Sequence, residues 1–175
     1  MKILIAYYSR TGTTRKAAEA IRDALTAAGD VAVTVEEIVD TKERSGAGGW
    51  LGAGKDSLRK RTATIEPVTA DVAAFDLVAI GTPVWAGNVT PAARTFCVEQ
   101  SPRARQVAFF CTTGGSGSKR TLATMEDLCK RHPVATLGLV QKAVMKGDEA
   151  KFLAKVRAFA ETIAGGTMSD TPHIE

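Results

Sequence analysis

The stretch that decides the fold is Ile3-Leu4-Ile5-Ala6-Tyr7-Tyr8-Ser9-Arg10-Thr11-Gly12-Thr13-Thr14-Arg15-Lys16-Ala17-Ala18. It opens as an unbroken apolar run, the pattern of a strand covered on both faces. It closes as an Ala-rich helical segment, Arg15 to Ala28. The turn between them, Ser9 to Thr14, puts the hydroxyls of Ser9, Thr11, Thr13 and Thr14 around Gly12. The first N–H groups of a helix lack internal partners, and the helix dipole adds partial positive charge there. Hydroxyls can donate to phosphate oxygens, and a glycine lets the backbone come close. An ordinary N-cap needs only one Ser or Thr. A cluster of four reads as an anion pocket.

Outward from this turn the chain alternates strands and helices. The first helix sets Ala17, Ala20, Ile21, Ala24, Leu25 and Ala28 on one face and stops at Gly29. Val31 to Glu37 alternates apolar and polar residues, as an edge or near-edge strand does. Phe75 to Ile80 reads as a third strand, leaving through a loop, Gly81-Thr82-Pro83-Val84-Trp85-Ala86-Gly87-Asn88. Thr90-Pro91 supplies an N-cap and a proline at N1 for a helix reaching Glu99. Gln106 to Cys111 is a fourth strand, followed by Thr112-Thr113-Gly114-Gly115-Ser116-Gly117-Ser118. A helix with Leu122, Met125 and Cys129 on one face stops at His132-Pro133, and Val134 to Val140 is the fifth strand. The last helix aligns Phe152, Val156, Phe159 and Ile163.

This order predicts a single α/β domain over residues 1–166, a doubly wound parallel sheet with helices on both faces, and a loosely ordered tail over 167–175. Residues 41–66 form a glycine-rich basic insert around Trp50, expected to cover a ligand site, with a short helix from Lys55 to Arg61.

The chain has 175 residues and a formal net charge of +4. Between Lys42 and Arg61, six bases (Lys42, Arg44, Lys55, Arg59, Lys60, Arg61) face two acids (Glu43, Asp56). A second basic stretch, Arg103 to Arg120, contains no acid. Such clusters suit acidic partners or anionic ligands, although many are solvated surface. No apolar run is long enough to span a bilayer, and no signal peptide is evident at the N-terminus. The three cysteines, Cys97, Cys111 and Cys129, fit no metal spacing and read as reduced thiols in a cytoplasmic protein. Cys111, close to the third loop, reads as a buried strand-end thiol in preference to a reactive one. His132 and His173 offer no zinc pattern. The basic stretches carry no nucleic-acid recognition motif.

In a doubly wound sheet ligands sit at the carboxyl ends of the strands. Three loops fall there: Ser9 to Thr14, Thr82 to Asn88, and Thr112 to Ser118. The first offers a phosphate pocket, the second the large aromatic Trp85, the third small residues whose backbone can meet polar ring edges. Together they suit a ligand with a phosphate at one end and a flat heteroaromatic at the other.

On these residues the chain resembles the flavodoxin-like family. Ser9-Arg10-Thr11-Gly12-Thr13-Thr14 is similar to the family's phosphate loop, Gly81-Thr82-Pro83-Val84-Trp85-Ala86-Gly87 to its first isoalloxazine loop, and Thr112-Thr113-Gly114-Gly115 to its second. Gly48-Gly49-Trp50-Leu51 and Lys55-Asp56-Ser57-Leu58 look like the insert of one bacterial branch. The resemblance implies strand order 2-1-3-4-5 and non-covalent FMN. The cofactor-binding residues would be Ser9, Arg10, Thr11, Gly12, Thr13, Thr14, Thr82, Pro83, Val84, Trp85, Ala86, Gly87, Asn88, Thr112, Thr113, Gly114, Gly115, Ser116 and Gly117. Arg10 holds the loop's variable position, can point to solvent, and is not required for the phosphate. Gly87 would be the pivot of a peptide that flips when the flavin is reduced.

The implied function is electron transfer between redox partner proteins, acidic ones by charge. The alternative is an FMN-dependent NAD(P)H/quinone-type oxidoreductase acting on a quinone or small electrophile, with Trp50 shaping its pocket. No Gly-x-Gly-x-x-Gly fingerprint supports a dedicated NAD(P)H site. The basic balance and the absence of an aromatic in Thr112 to Ser118 depart from acidic carriers, and predict a less negative potential for the last reduction step. A phosphoacceptor receiver domain would need acids after strand one, where Tyr7, Tyr8 and Ser9 stand. Oligomeric state is not encoded in any of these features.

Overall fold

Strand β1 (Lys2–Tyr7) is apolar at nearly every position because both of its faces are covered. In the computed structural model, which describes residues 1–41, 62–165 and 173–174, its side chains divide between two cores. Ile3, Ile5 and Tyr7 pack with Ile21 and Leu25 of helix α1 (Thr13–Ala27) and Phe152, Val156 and Phe159 of helix α5 (Glu149–Gly165). Leu4, Ala6 and Tyr8 pack on the opposite face with Phe96 of helix α2 (Pro91–Glu99) and Leu122 and Met125 of helix α3 (Ser118–Cys129). A period of two along the strand therefore feeds two helical layers.

The remaining strands are β2 (Ala32–Glu37), β3 (Leu77–Trp85), β4 (Asn88–Val89), β5 (Val107–Thr113), β6 (Thr136–Val140) and β7 (His173–Ile174). They make a seven-stranded sheet in the order β2-β1-β3-β5-β6-β7, with β4 paired to β3 alone. All pairings are parallel except β3 with β4. With β4 and β7 set aside, the order is the expected 2-1-3-4-5, and β2 is the edge strand its alternation predicted.

Four boundaries differ from the expectation. Thr82 to Asn88 is not a loop: β3 runs through Trp85, and Val84↔Val89 and Trp85↔Asn88 close an antiparallel hairpin. Its turn residues Ala86 (φ 49) and Gly87 (φ 70) both have positive φ, as tight two-residue hairpins require. Pro83 is tolerated because β1 has already ended opposite Gly81, leaving β5 as its only parallel neighbour. Thr112 and Thr113 likewise belong to β5. Helix α4 (Gln141–Lys146) follows β6 directly and was not expected. Within the tail, His173–Ile174 pairs with β6.

Gly81 makes room for the ring of Phe110 on the neighbouring strand β5, since a Cβ there would lie 2.1 Å from Cζ of Phe110. Gly29 ends α1 at φ 81, but Ala28, expected on its buried face, is exposed. The insert is clasped at its base. Thr41 N donates to Thr64 O (3.0 Å), Glu66 N donates to Val39 O (2.9 Å), and Asp40 bridges Ile65. Trp50, the basic cluster Lys42 to Arg61, and the helix expected from Lys55 lie outside the described residues.

Candidate functional site

The three expected segments meet at the carboxyl edge of β1, β3 and β5, and each pair of them is joined by a contact. The hydroxyls of Thr14 and Thr112 are 2.8 Å apart, a buried hydrogen bond linking the first segment to the third. Arg10 places its guanidinium carbon over the Trp85 ring, 5.7 Å from the centroid, linking the first to the second. Gly117 closes the triangle, for a Cβ there would be 3.1 Å from Cγ1 of Val84 and 3.3 Å from Cα of Gly87.

The first segment gathers donors that have no acceptor among the described residues. The N-cap of α1 is Gly12 in the left-handed region (φ 83), and no side chain caps the helix. Arg15 N donates to Ser9 Oγ (3.2 Å) and Lys16 N donates to Gly12 O (2.9 Å), but the N–H groups of Gly12, Thr13 and Thr14 find no acceptor among the described residues. Thr13 is buried, and its Oγ1 has no hydrogen-bond partner. A buried hydroxyl without a partner forgoes about 1–3 kcal/mol. Ser9 Oγ accepts from Arg15 and keeps its own proton to donate. Thr11 is exposed.

The second segment presents Trp85, half-buried at the end of β3. Tyr8 meets it edge-to-face, with ring centroids 5.6 Å apart and planes at 85°. Tyr8, read from sequence only as the end of an apolar run, is therefore a supporting residue of the site. Arg10, whose direction the sequence left open, is half-buried over the indole. Thr82 joins the site through its backbone position, with its side chain turned inward. It is fully buried, and its Oγ1 donates to Pro83 O (3.0 Å) while contacting Thr90 Oγ1 (3.0 Å) and accepting from Thr90 N (3.3 Å). Its side chain is a strut between the hairpin and α2, not a ligand group. Asn88 is buried as well. Pro83 and Val84 are half-buried, and Ala86 and Gly87 form the tip.

In the third segment Thr113 Oγ1 accepts from Gly115 N (3.3 Å) and Ser116 N (3.1 Å) and donates to Ser116 O. That hydroxyl is spent on shaping the turn, which leaves Gly114, Gly115 and Ser116 exposed and Gly117 at φ 93 as the N-cap of α3. Cys111, one residue before, is fully buried, and desolvation pushes its thiol to about 12. It is the inert strand thiol that its position suggested.

Beside the anion turn, Arg15 NH2 pairs with Glu37 Oε2 at 2.6 Å. The pairing raises the Arg15 pKa, chiefly through the hydrogen bond to Glu37, with Tyr7 contributing. Burial raises the Tyr7 phenol, and its hydrogen bond with Arg15 opposes that shift. No group of His, Cys, Asp or Glu among the described residues is arranged to hold a metal. No helix among them is long and apolar enough to cross a membrane.

Residues 2–156 match the family model described as Flavodoxin. The chain belongs to the flavodoxin family.

Solved structures agree with this flavodoxin-family fold. A flavoprotein from Lactobacillus acidophilus, solved in complex with FMN, superposes with a TM-score of 0.63 at 23% identity, over 81% of this chain and 94% of that one. A flavodoxin from the domain Archaea gives 0.64 at 17% identity, over 95% and 98% of the two chains. Oxidised flavodoxin 2 from Bacillus cereus gives 0.62 at 21% identity, over 95% and 100%.

Proposed function

We propose that this flavodoxin-family protein binds FMN without a covalent bond and carries electrons between redox partner proteins. The observation that carries the reading is the buried, partnerless Thr13 hydroxyl beside three N–H groups that have no acceptor. A phosphate monoester fits such a set. Hydroxyls and amides neutralise it by hydrogen bonding, and the helix dipole adds a favourable field.

In this reading Thr11, Thr13, Thr14, Ser9 and the N–H groups of Gly12 to Thr14 hold the phosphate. Trp85 packs against the flat ring, which adds about 1 kcal/mol beyond area burial. The backbone of Thr112 to Gly117 meets the polar ring edge. FMN supplies one- and two-electron chemistry when bound. The protein supplies binding, orientation and partial exclusion of water. Gly87, at positive φ on the hairpin tip, allows its peptide either orientation.

The exposed bases that follow the third segment, Lys119 and Arg120, suit an acidic redox partner. All three cysteines are free and buried, as suits a reducing cytoplasm.

The test is a titration of apoprotein with FMN, followed by a visible spectrum. A saturable complex with the two bands of oxidised flavin is expected, and Thr13→Val should weaken it by about tenfold. A protein that takes up no FMN would refute the assignment. Slow NAD(P)H-to-quinone turnover without a separate reductase is expected of a carrier, whereas fast turnover would favour an oxidoreductase.

A further inference from the structure

Arg10 belongs to the anion turn by sequence, yet its guanidinium reaches across to the ring of the second segment. Its guanidinium carbon stands over the Trp85 indole at 5.7 Å, within cation–π range. Tyr8 braces the same ring edge-to-face. Two residues from the exit of β1 therefore set the aromatic that the third strand delivers. We propose that Arg10 is a positioning residue for the ring-binding half of the site: it fixes the Trp85 indole and keeps a positive charge beside it, so that it shifts the ratio of FMN affinities toward the reduced form.

This inference rests on the FMN reading above. Adding two electrons and one proton to the neutral flavin ring leaves one negative charge on it, while the phosphate charge is the same before and after. An arginine on the phosphate would strengthen both states alike and leave their ratio unchanged. An arginine beside the ring favours the reduced state selectively. Guanidinium stays protonated at any working pH, so its effect is constant. Arg10 is half-buried, which limits screening by salt. A unit charge about 8–10 Å from the ring, at an effective dielectric near 20, shifts the ratio by roughly twentyfold, which partial solvent screening lowers to about tenfold.

The experiment compares wild type, Arg10→Gln and Arg10→Lys, each in a Trp50→Phe background so that Trp85 is the sole indole. Apoproteins are titrated with oxidised FMN, and anaerobically with dithionite-reduced FMN. Arg10→Gln should lose about tenfold of the preference for reduced FMN while its affinity for oxidised FMN moves by less than about threefold. Arg10→Lys should keep most of the preference. In the apoprotein, Arg10→Gln should change Trp85 fluorescence and near-UV dichroism, because the indole loses its cation. An equal loss of affinity for both redox states would identify a phosphate contact and overturn the proposal. An unchanged ratio, or an unchanged Trp85 signal, would overturn it too. If wild type binds oxidised FMN and the ratio is unmoved, only the Arg10 inference fails. If wild type binds neither form, the FMN reading fails and takes this one with it.

Discussion

Thr14 and Thr112, 98 positions apart in the chain, share a buried hydroxyl–hydroxyl hydrogen bond of 2.8 Å. It ties the first turn of α1 to the end of β5, so two of the three site segments cannot separate without breaking it. Thr14→Val or Thr112→Val leaves one hydroxyl buried and unpaired, and each should cost about 1–2 kcal/mol. The double variant removes both polar groups and should lose less than the sum of the two single changes. A double-mutant cycle by urea unfolding measures the difference, and strict additivity would show that the bond contributes nothing.

Ala86 occupies the first turn position of the β3–β4 hairpin at φ 49, a conformation that costs an L-residue about 1–2 kcal/mol. Ala86→Asn creates the Asn-Gly pair that such turns favour. It should stabilise the protein by about 0.5–1 kcal/mol, a rise in Tm of roughly 2–4 °C. A lower Tm in thermal unfolding would mean that the turn is not strained at this position.

Burial holds the Cys111 thiol protonated up to about 12, against an ordinary value of 9.0. Native protein thus retains a proton that the unfolded chain releases, and this contribution to stability is lost as pH rises from 9 towards 12. Cys111→Ala should therefore flatten the alkaline fall in stability by up to one proton, about 1.4 kcal/mol per pH unit. Urea midpoints collected across that range read the slope directly, and identical slopes would contradict the assignment.

Arg94 sits in α2 almost entirely buried, and its Nε and NH2 have no hydrogen-bond partner among the described residues. Burial lowers its pKa, which marks the charge as poorly solvated. An unpaired buried guanidinium is a liability that an apolar side chain of similar length removes. Arg94→Met should raise stability by about 1 kcal/mol and move the urea midpoint without changing the slope. A destabilised variant would reveal a favourable interaction of that charge.

Much of this architecture is legible in the residues themselves. The run from Lys2 to Tyr8 is apolar because two helical layers need it, and the faces of α1, α3 and α5 carry the matching period. The hairpin was hidden because Ala86-Gly87 lacks the Asn or Asp that announces such turns, and because Pro83 reads as a loop residue. Helix α4 escaped because only Val144 of its residues is buried, which gives no periodic signal. The direction of Arg10 stayed open for a different reason. A long flexible side chain in an anion loop carries no mark of where its charge will settle, and only the position of Trp85 decides it.

The clasp joins Val39–Thr41 to Thr64–Glu66. None of the described strand pairings draws on the sequence between those two anchors, so its length and composition can change without altering a strand register. Evolution can therefore remodel which molecules approach this edge of the sheet while the scaffold beneath stays unaltered.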